Sequence, residues 1–222
     1  MHWLDQPQRF LFFTGKGGVG KTSLSAASAI ALADAGKRVL LVSTDAASNL
    51  DEMLGITLQN VPVLVPGVPG LACINIDPDV ATLAYRQRVI DHMGAAASAA
   101  EKAAVTEQLS GACTTEIASF DEFSCLLADA QSSYDHIVFD TAPSGHTLRL
   151  LSLPKAWSGF LANNDQGASC LGPHSGLKMQ EARFNQALAA LSDPTRTAVI
   201  LVARPEPVRC RKLPVPVRNY WR

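Results

Sequence analysis

Residues 10–22 read FLFFTGKGGVGKT, and the reading of this stretch decides the fold. Phe10 to Thr14 is a short aromatic and apolar run, long enough for one buried strand. Gly15 to Thr22 (GKGGVGKT) matches G-x-x-x-x-G-K-[ST], a glycine-rich turn that cradles phosphate when it lies between a strand and a helix. The helix is there to be read. Thr22 to Ala35 carries Leu24, Ala27, Ile30, Ala31 and Leu32 at helical spacing, and Gly36 supplies a stop. Val39 to Thr44 (VLLVST) follows without polar alternation, as expected of a strand covered on both faces of a parallel sheet. Strand, helix and strand in so short a span form a βαβ unit with a right-handed crossover.

Working outward, Leu71 to Ile76, His136 to Phe139 and Ala198 to Val202 read as further buried strands. Val80 to His92, Ala95 to Leu109, Glu116 to Ala130 and Lys178 to Leu191 read as the helices between them. The alternation predicts an α/β fold of the P-loop NTPase type, a mostly parallel sheet flanked by helices. Asn163 to Gly176 is a polar, glycine-bearing loop long enough to serve a function. Residues 1–203 read as one ATPase domain, and residues 204–222 as a divergent tail. That tail holds four prolines and six basic residues against one acid, Glu206. Its prolines block a helix after the last strand, so the domain is expected to be incomplete at its C-terminus.

The 222 residues carry 19 Lys+Arg against 20 Asp+Glu, a balance that excludes binding nucleic acid through a general positive field. With 47% hydrophobic and 18% charged residues, the chain can bury a core. No apolar run approaches the ~20 residues of a membrane span, and the N-terminus lacks secretory-signal features. The expected location is cytoplasmic. The five cysteines (Cys73, Cys113, Cys125, Cys170, Cys210) contain no C-x-x-C pair, and Cys73 and Cys125 read as free, buried thiols.

The chemistry expected of the loop is specific. Backbone amides of Gly15, Lys16, Gly17, Gly18, Val19 and Gly20 form an anion nest, and the helix opened by Lys21, Thr22 and Ser23 adds favourable partial charge. Lys21 is placed to reach the β- and γ-phosphates of ATP, and the Thr22 hydroxyl to hold Mg2+. A phosphoryl-transfer site also needs carboxylates near the metal. Asp140 ends the apolar run His136-Ile137-Val138-Phe139, and Asp45 follows the strand ending at Thr44. Both fall at carboxyl ends of strands, where open α/β sheets bind ligands. A lone strand-end aspartate often only caps a helix, but beside a phosphate loop both become Mg2+ candidates.

Lys16 within the loop makes GKGGVGKT similar to the deviant Walker A motif shared by partition, nitrogenase iron-protein and arsenical-pump ATPases. FFTGKGGVGKTS, RVLLVSTDAASNL, QLSGACTTEIASFDEF, FDTAPSGHTLRLLSLP and GASCLGP resemble the arsenical-pump ATPase family, in the first of its two homologous halves. The resemblance implies ATP hydrolysis that energises efflux of arsenite or antimonite through a membrane permease, which would hold the subunit at the membrane periphery. It implies that Lys16 reaches across an interface to a second nucleotide-binding half or a second copy. Asp45 would lie in switch I, and Asp140 to Thr147 would form switch II, with Gly145 sensing the γ-phosphate. On the same resemblance, Cys113 and Cys170 fall on two positions that the family uses for As(III) or Sb(III), and His146 matches a family residue close to that site; thiolates suit such soft ions. A metalloid chaperone is a further partner on this reading.

The chain departs from the family at three points. Ala46 follows Asp45 where proline is usual. The third metalloid cysteine belongs to the second half. The resemblance ends near Ala203, before the segment expected to grip the adenine. Two other readings compete with the pump. A targeting ATPase for tail-anchored membrane proteins would carry a C-x-x-C clasp and a methionine-rich groove, whereas this chain has four methionines and no such pair. A truncated fragment without catalytic activity would bind phosphate only weakly.

Overall fold

The computed structural model describes residues 2–44, 49–94, 97–128, 133–141 and 174–204, arranged as two compact units. The first unit holds a six-stranded sheet. Its strands are β1 (Phe10–Thr14), β2 (Val39–Ser43), β3 (Val63–Leu64), β4 (Leu71–Asn75), β5 (His136–Asp140) and β6 (Thr197–Leu201), in spatial order β3-β4-β2-β5-β1-β6. Every neighbouring pair is parallel except β3 with β4. The same unit contains α1 (His2–Asp5), α2 (Lys21–Asp34) and α3 (Leu50–Leu54).

The apolar runs explain the order. Every residue of β1, β2 and β5 is buried, as two-sided coverage of a parallel sheet requires. On one side, Leu11, Phe13, Leu41 and Val138 pack with Ala26, Ala29, Leu32 and Ala33 of α2 in a single core. Between β1 and β5, the rings of Phe12 and Phe139 stack nearly parallel with centroids 4.4 Å apart.

The five expected strands are all present. The short β3 is an addition, and it is antiparallel because it folds back through Val65-Pro66-Gly67-Val68-Pro69-Gly70. There Val65 N–H donates to Leu71 O at 3.0 Å, and Gly70 adopts φ +86° with the Lys37 carbonyl packed where a side chain would begin. The helix α2 begins one residue before the expected Thr22.

The second unit contains α4 (Pro78–His92), α5 (Ala99–Gln108), α6 (Ala112–Ala128) and most of α7 (His174–Ser192). The Asp77 carboxylate caps α4 by accepting from the amides of Asp79 (2.8 Å) and Val80 (3.2 Å). Ser98 and Glu101 form a reciprocal capping box that starts α5 at Ala99, later than the expected Ala95. Ala81, Tyr85 and Val89 of α4 pack with Leu109 and with Ile117 and Ala118 of α6.

The Asp121 carboxylate is fully buried in this unit and accepts from Arg88 (2.8 Å) and Arg183 (3.0 Å). Burial pushes Asp121 upward, and the two guanidiniums pull it back. Arg183 also donates to Cys125 Sγ at 3.2 Å. Cys73 and Cys125 are free thiols, and burial drives Cys73 up to about 12, leaving it protonated and inert at neutral pH. Among the described residues, no helix is long and apolar enough to cross a membrane.

One ion pair fixes the lower ends of β2 and β5. Arg38 donates to Asp135 through its guanidinium (2.8 Å) and its backbone amide (2.8 Å), while the Arg38 carbonyl accepts from the Asp135 amide at 2.7 Å. The hydrogen bonds from Arg38 hold Asp135 down to about 2. A depressed carboxylate adds stability above its ordinary pKa and loses that contribution as pH falls through the folded value. Both side chains are well exposed, so solvent screening keeps the contribution small. Asp135→Asn should therefore unfold slightly more easily than the parent at pH 7, with the gap closing as pH falls from about 4 to about 2. A gap that stays constant over that range in urea titrations would assign the effect to shape, not charge.

Candidate functional site

The loop Gly15–Gly20 connects β1 to α2 at the carboxyl edge of the sheet. Gly20 is the N-cap of α2 at φ +96°, and no side chain caps the helix. The first intrahelical bond is Leu24 N–H to Gly20 O at 3.0 Å, so the amides of Lys21, Thr22 and Ser23 precede any helical acceptor. Helices α4 and α5 cover such amides with Asp77 and Ser98. A long helix opened by glycine and left without a side-chain cap is suited to an anion. Gly15 is required for a different reason. A Cβ there would overlap the Val202 carbonyl oxygen, because Val202 N–H bonds to Thr14 O at 2.8 Å and carries the β1–β6 ladder past the strand end.

The Lys21 side chain is 6% exposed and folds over the loop, donating from Nζ to the Lys16 carbonyl at 3.2 Å. Lys16 itself, like Gly17 and Gly18, is exposed; Val19 and Thr22 are half-buried, and Ser23 is exposed. Asp140 closes β5 with its side chain fully buried and sits in register with Phe13 of β1 and Ser43 of β2. Its carbonyl accepts from the Thr44 amide at 3.0 Å, and the neighbouring Thr141 hydroxyl donates to Phe13 O at 2.7 Å. The strand register thus sets Asp140 beside the residues that enter the phosphate loop. A threonine hydroxyl and a carboxylate are hard oxygen donors, the type that Mg2+ takes, so Thr22 and Asp140 fit that ion.

The structure therefore brings Gly15–Ser23 and Asp140 to one sheet edge. Asp45, Gly145, His146 and Cys170 lie outside the described residues. Cys113 belongs to α6, and its side chain lies outside the description. Among the described residues, no group of three or more histidine, cysteine or acidic side chains could hold a metal. Two contacts escape the sequence reading. One is the Thr141 clamp on β1; the other is Arg204, whose guanidinium donates to the Gly18 carbonyl at 2.7 Å. Both follow from strand register, which a motif search does not use.

The profile of the anion-transporting ATPases matches residues 8–211. The chain is 54% identical to an arsenical pump-driving ATPase of Escherichia coli over 92% of its own length and 35% of the relative's. It is 55% identical to the corresponding protein of Acidiphilium multivorum, with the same coverage. An ATPase GET3 of Pyricularia oryzae is 38% identical over 77% of the chain and 50% of that protein. The chain thus spans about a third of the length of the arsenical-pump relatives. With a phosphate loop, an uncapped helix and a strand-end aspartate at one sheet edge, and a family match over most of its residues, the chain belongs to the anion-transporting ATPase family.

Proposed function

We propose that this chain is an ATP-binding and ATP-hydrolysing domain of a pump-driving ATPase that energises efflux of arsenite or antimonite. The observation that carries the reading is the buried Lys21 ammonium folded over the loop, with Asp140 closing the adjacent strand. Lys21 and the amides of Gly15–Ser23 bind and orient the triphosphate. Thr22 and Asp140, with Asp45, would hold Mg2+, which would supply charge neutralisation on the phosphate oxygens. Phosphoryl transfer needs little covalent help from protein groups, so positioned charge is the catalytic contribution.

The finer steps rest on the resemblance. Lys16 is exposed on the loop, where a lysine that serves an opposing subunit has to be. It adds positive charge to the phosphates of a second half or second copy only when the two associate, so hydrolysis waits for assembly. Gly145 senses the γ-phosphate in switch II, and Cys113, Cys170 and His146 bind As(III) or Sb(III) as the activating ion. A membrane permease is the transport partner and brings the subunit to the cytoplasmic face. A second reading is an ATPase that targets tail-anchored membrane proteins, the alternative weighed from the sequence. The higher identity to the arsenical-pump relatives, over more of the chain, favours the pump.

ATP turnover measured with and without antimonite, at several protein concentrations, tests these roles. The expected result is a specific rate that rises with protein concentration and is stimulated by antimonite in the parent but not in Cys113→Ala. A rate independent of concentration overturns the cross-interface role of Lys16. Turnover indifferent to antimonite overturns the metalloid coupling.

A further inference from the structure

Arg204 is absent from the motif set, yet it bonds directly to the phosphate loop. The route is set by the sheet. Strand β6 runs parallel to β1 with Thr14 opposite Leu201, and the next residue, Val202, still bonds to Thr14 O. Two residues later the exposed Arg204 side chain reaches back, and its Nη2 donates to the Gly18 carbonyl at 2.7 Å. This is a charge-assisted bond at a favourable length.

The acceptor sits at the loop's most pliable point. Gly18 adopts φ +69° and follows Gly17, with open space where either Cβ would be. Glycines of this kind visit both halves of φ space readily, so nothing in their own sterics fixes the peptide between Gly18 and Val19. A trans peptide holds its C=O and N–H antiparallel. A guanidinium that holds the Gly18 carbonyl on one side therefore turns the Val19 N–H to the other. We propose that Arg204 is a positioning residue of the phosphate loop: by holding the Gly18 carbonyl it orients the Val19 amide as a phosphate donor before nucleotide arrives. The inference rests on the nucleotide-binding reading above and adds a residue to it. Its benefit is preorganisation, since an amide already aimed at the anion need not be ordered on binding.

This role differs from direct contact with adenine or ribose, because it acts on whatever phosphate chain the loop receives. Calorimetric binding of ATP, ADP and inorganic tripolyphosphate to the full chain tests it, comparing the parent with Arg204→Ala and Arg204→Lys. Arg204→Ala should weaken all three ligands by a similar factor, about tenfold. Arg204→Lys, which keeps a charged donor, should recover part of the loss. Because Arg204 is exposed, thermal midpoints of both variants should match the parent.

Unchanged affinities in Arg204→Ala overturn the inference alone. So does a loss confined to ATP and ADP with tripolyphosphate spared, which would place Arg204 on the nucleoside. A lysine variant as weak as the alanine variant counts against a donor to the carbonyl. If the folded parent binds none of the three ligands, the nucleotide reading itself fails, and this inference fails with it.

Discussion

Replacing Lys21 with methionine is expected to reduce ATP turnover about a hundredfold or more while leaving the fold intact. The Lys21 stem occupies a nearly closed position at the start of α2, and its ammonium rests on the Lys16 carbonyl across the loop. Methionine matches the stem in length and apolar character, so packing should survive. What disappears is the one buried positive charge of the loop. Without phosphate, that ammonium has given up most of its water for one carbonyl, an arrangement that costs stability. The methionine variant should therefore melt at the same temperature as the parent or slightly above it. Adding ATP should raise the midpoint of the parent, as any ligand specific to the folded state does, and leave the variant unmoved. A variant that keeps more than a tenth of parental turnover would remove Lys21 from the phosphate site.

Much of this was legible in the chain because the loop and its flanking elements state their structure in local terms. FLFFT and VLLVST could only be buried strands once GKGGVGKT stood between them, and Asp140 was identifiable from the apolar run that it ends. The two short helices and the two-residue strand are not legible. Helices α1 and α3 and strand β3 are too short to show a period, and β3 forms only because Pro66-Gly67 and Pro69-Gly70 turn the chain back onto β4. Those two dipeptides were the available signal for a tight return. Apolar spacing alone puts the starts of α4, α5, α6 and α7 two to four residues away from where they lie. Asp77-Pro78 and Ser98-x-x-Glu101 mark the starts of α4 and α5 when caps are read first. In the site, residues that carry a local motif, the loop and the strand-end Asp140, are legible, whereas the Thr141 and Arg204 contacts, which arise from register alone, are not. Arg204 lies 186 residues from Gly18, and only the pairing of β6 with β1 brings them together.

The largest expected effect on stability belongs to Phe139→Ala. Phe139 is fully buried on β5, directly opposite Phe12 of β1, with the two rings stacked at 4.4 Å and 2° apart. Truncation removes a ring from a two-sided core and leaves a cavity that flanking strands, pinned by parallel ladders on both sides, cannot collapse to fill. Burial and cavity contributions together place the loss at about 3–5 kcal/mol, a large share of the 5–15 kcal/mol that holds a typical domain folded. Because Asp140 is the next residue, the same change also loosens the strand end that sets the carboxylate beside β1. Phe139→Leu separates the two consequences. It refills most of the volume and should regain more than half of the stability measured in urea unfolding, without restoring the stacked ring. If turnover recovers in step with stability, the ring acts through packing alone. If stability returns while turnover stays low, the stack between β1 and β5 is what holds Asp140 at its working position. An alanine variant within about 1 kcal/mol of the parent would mean that the two rings do not form the centre of this core.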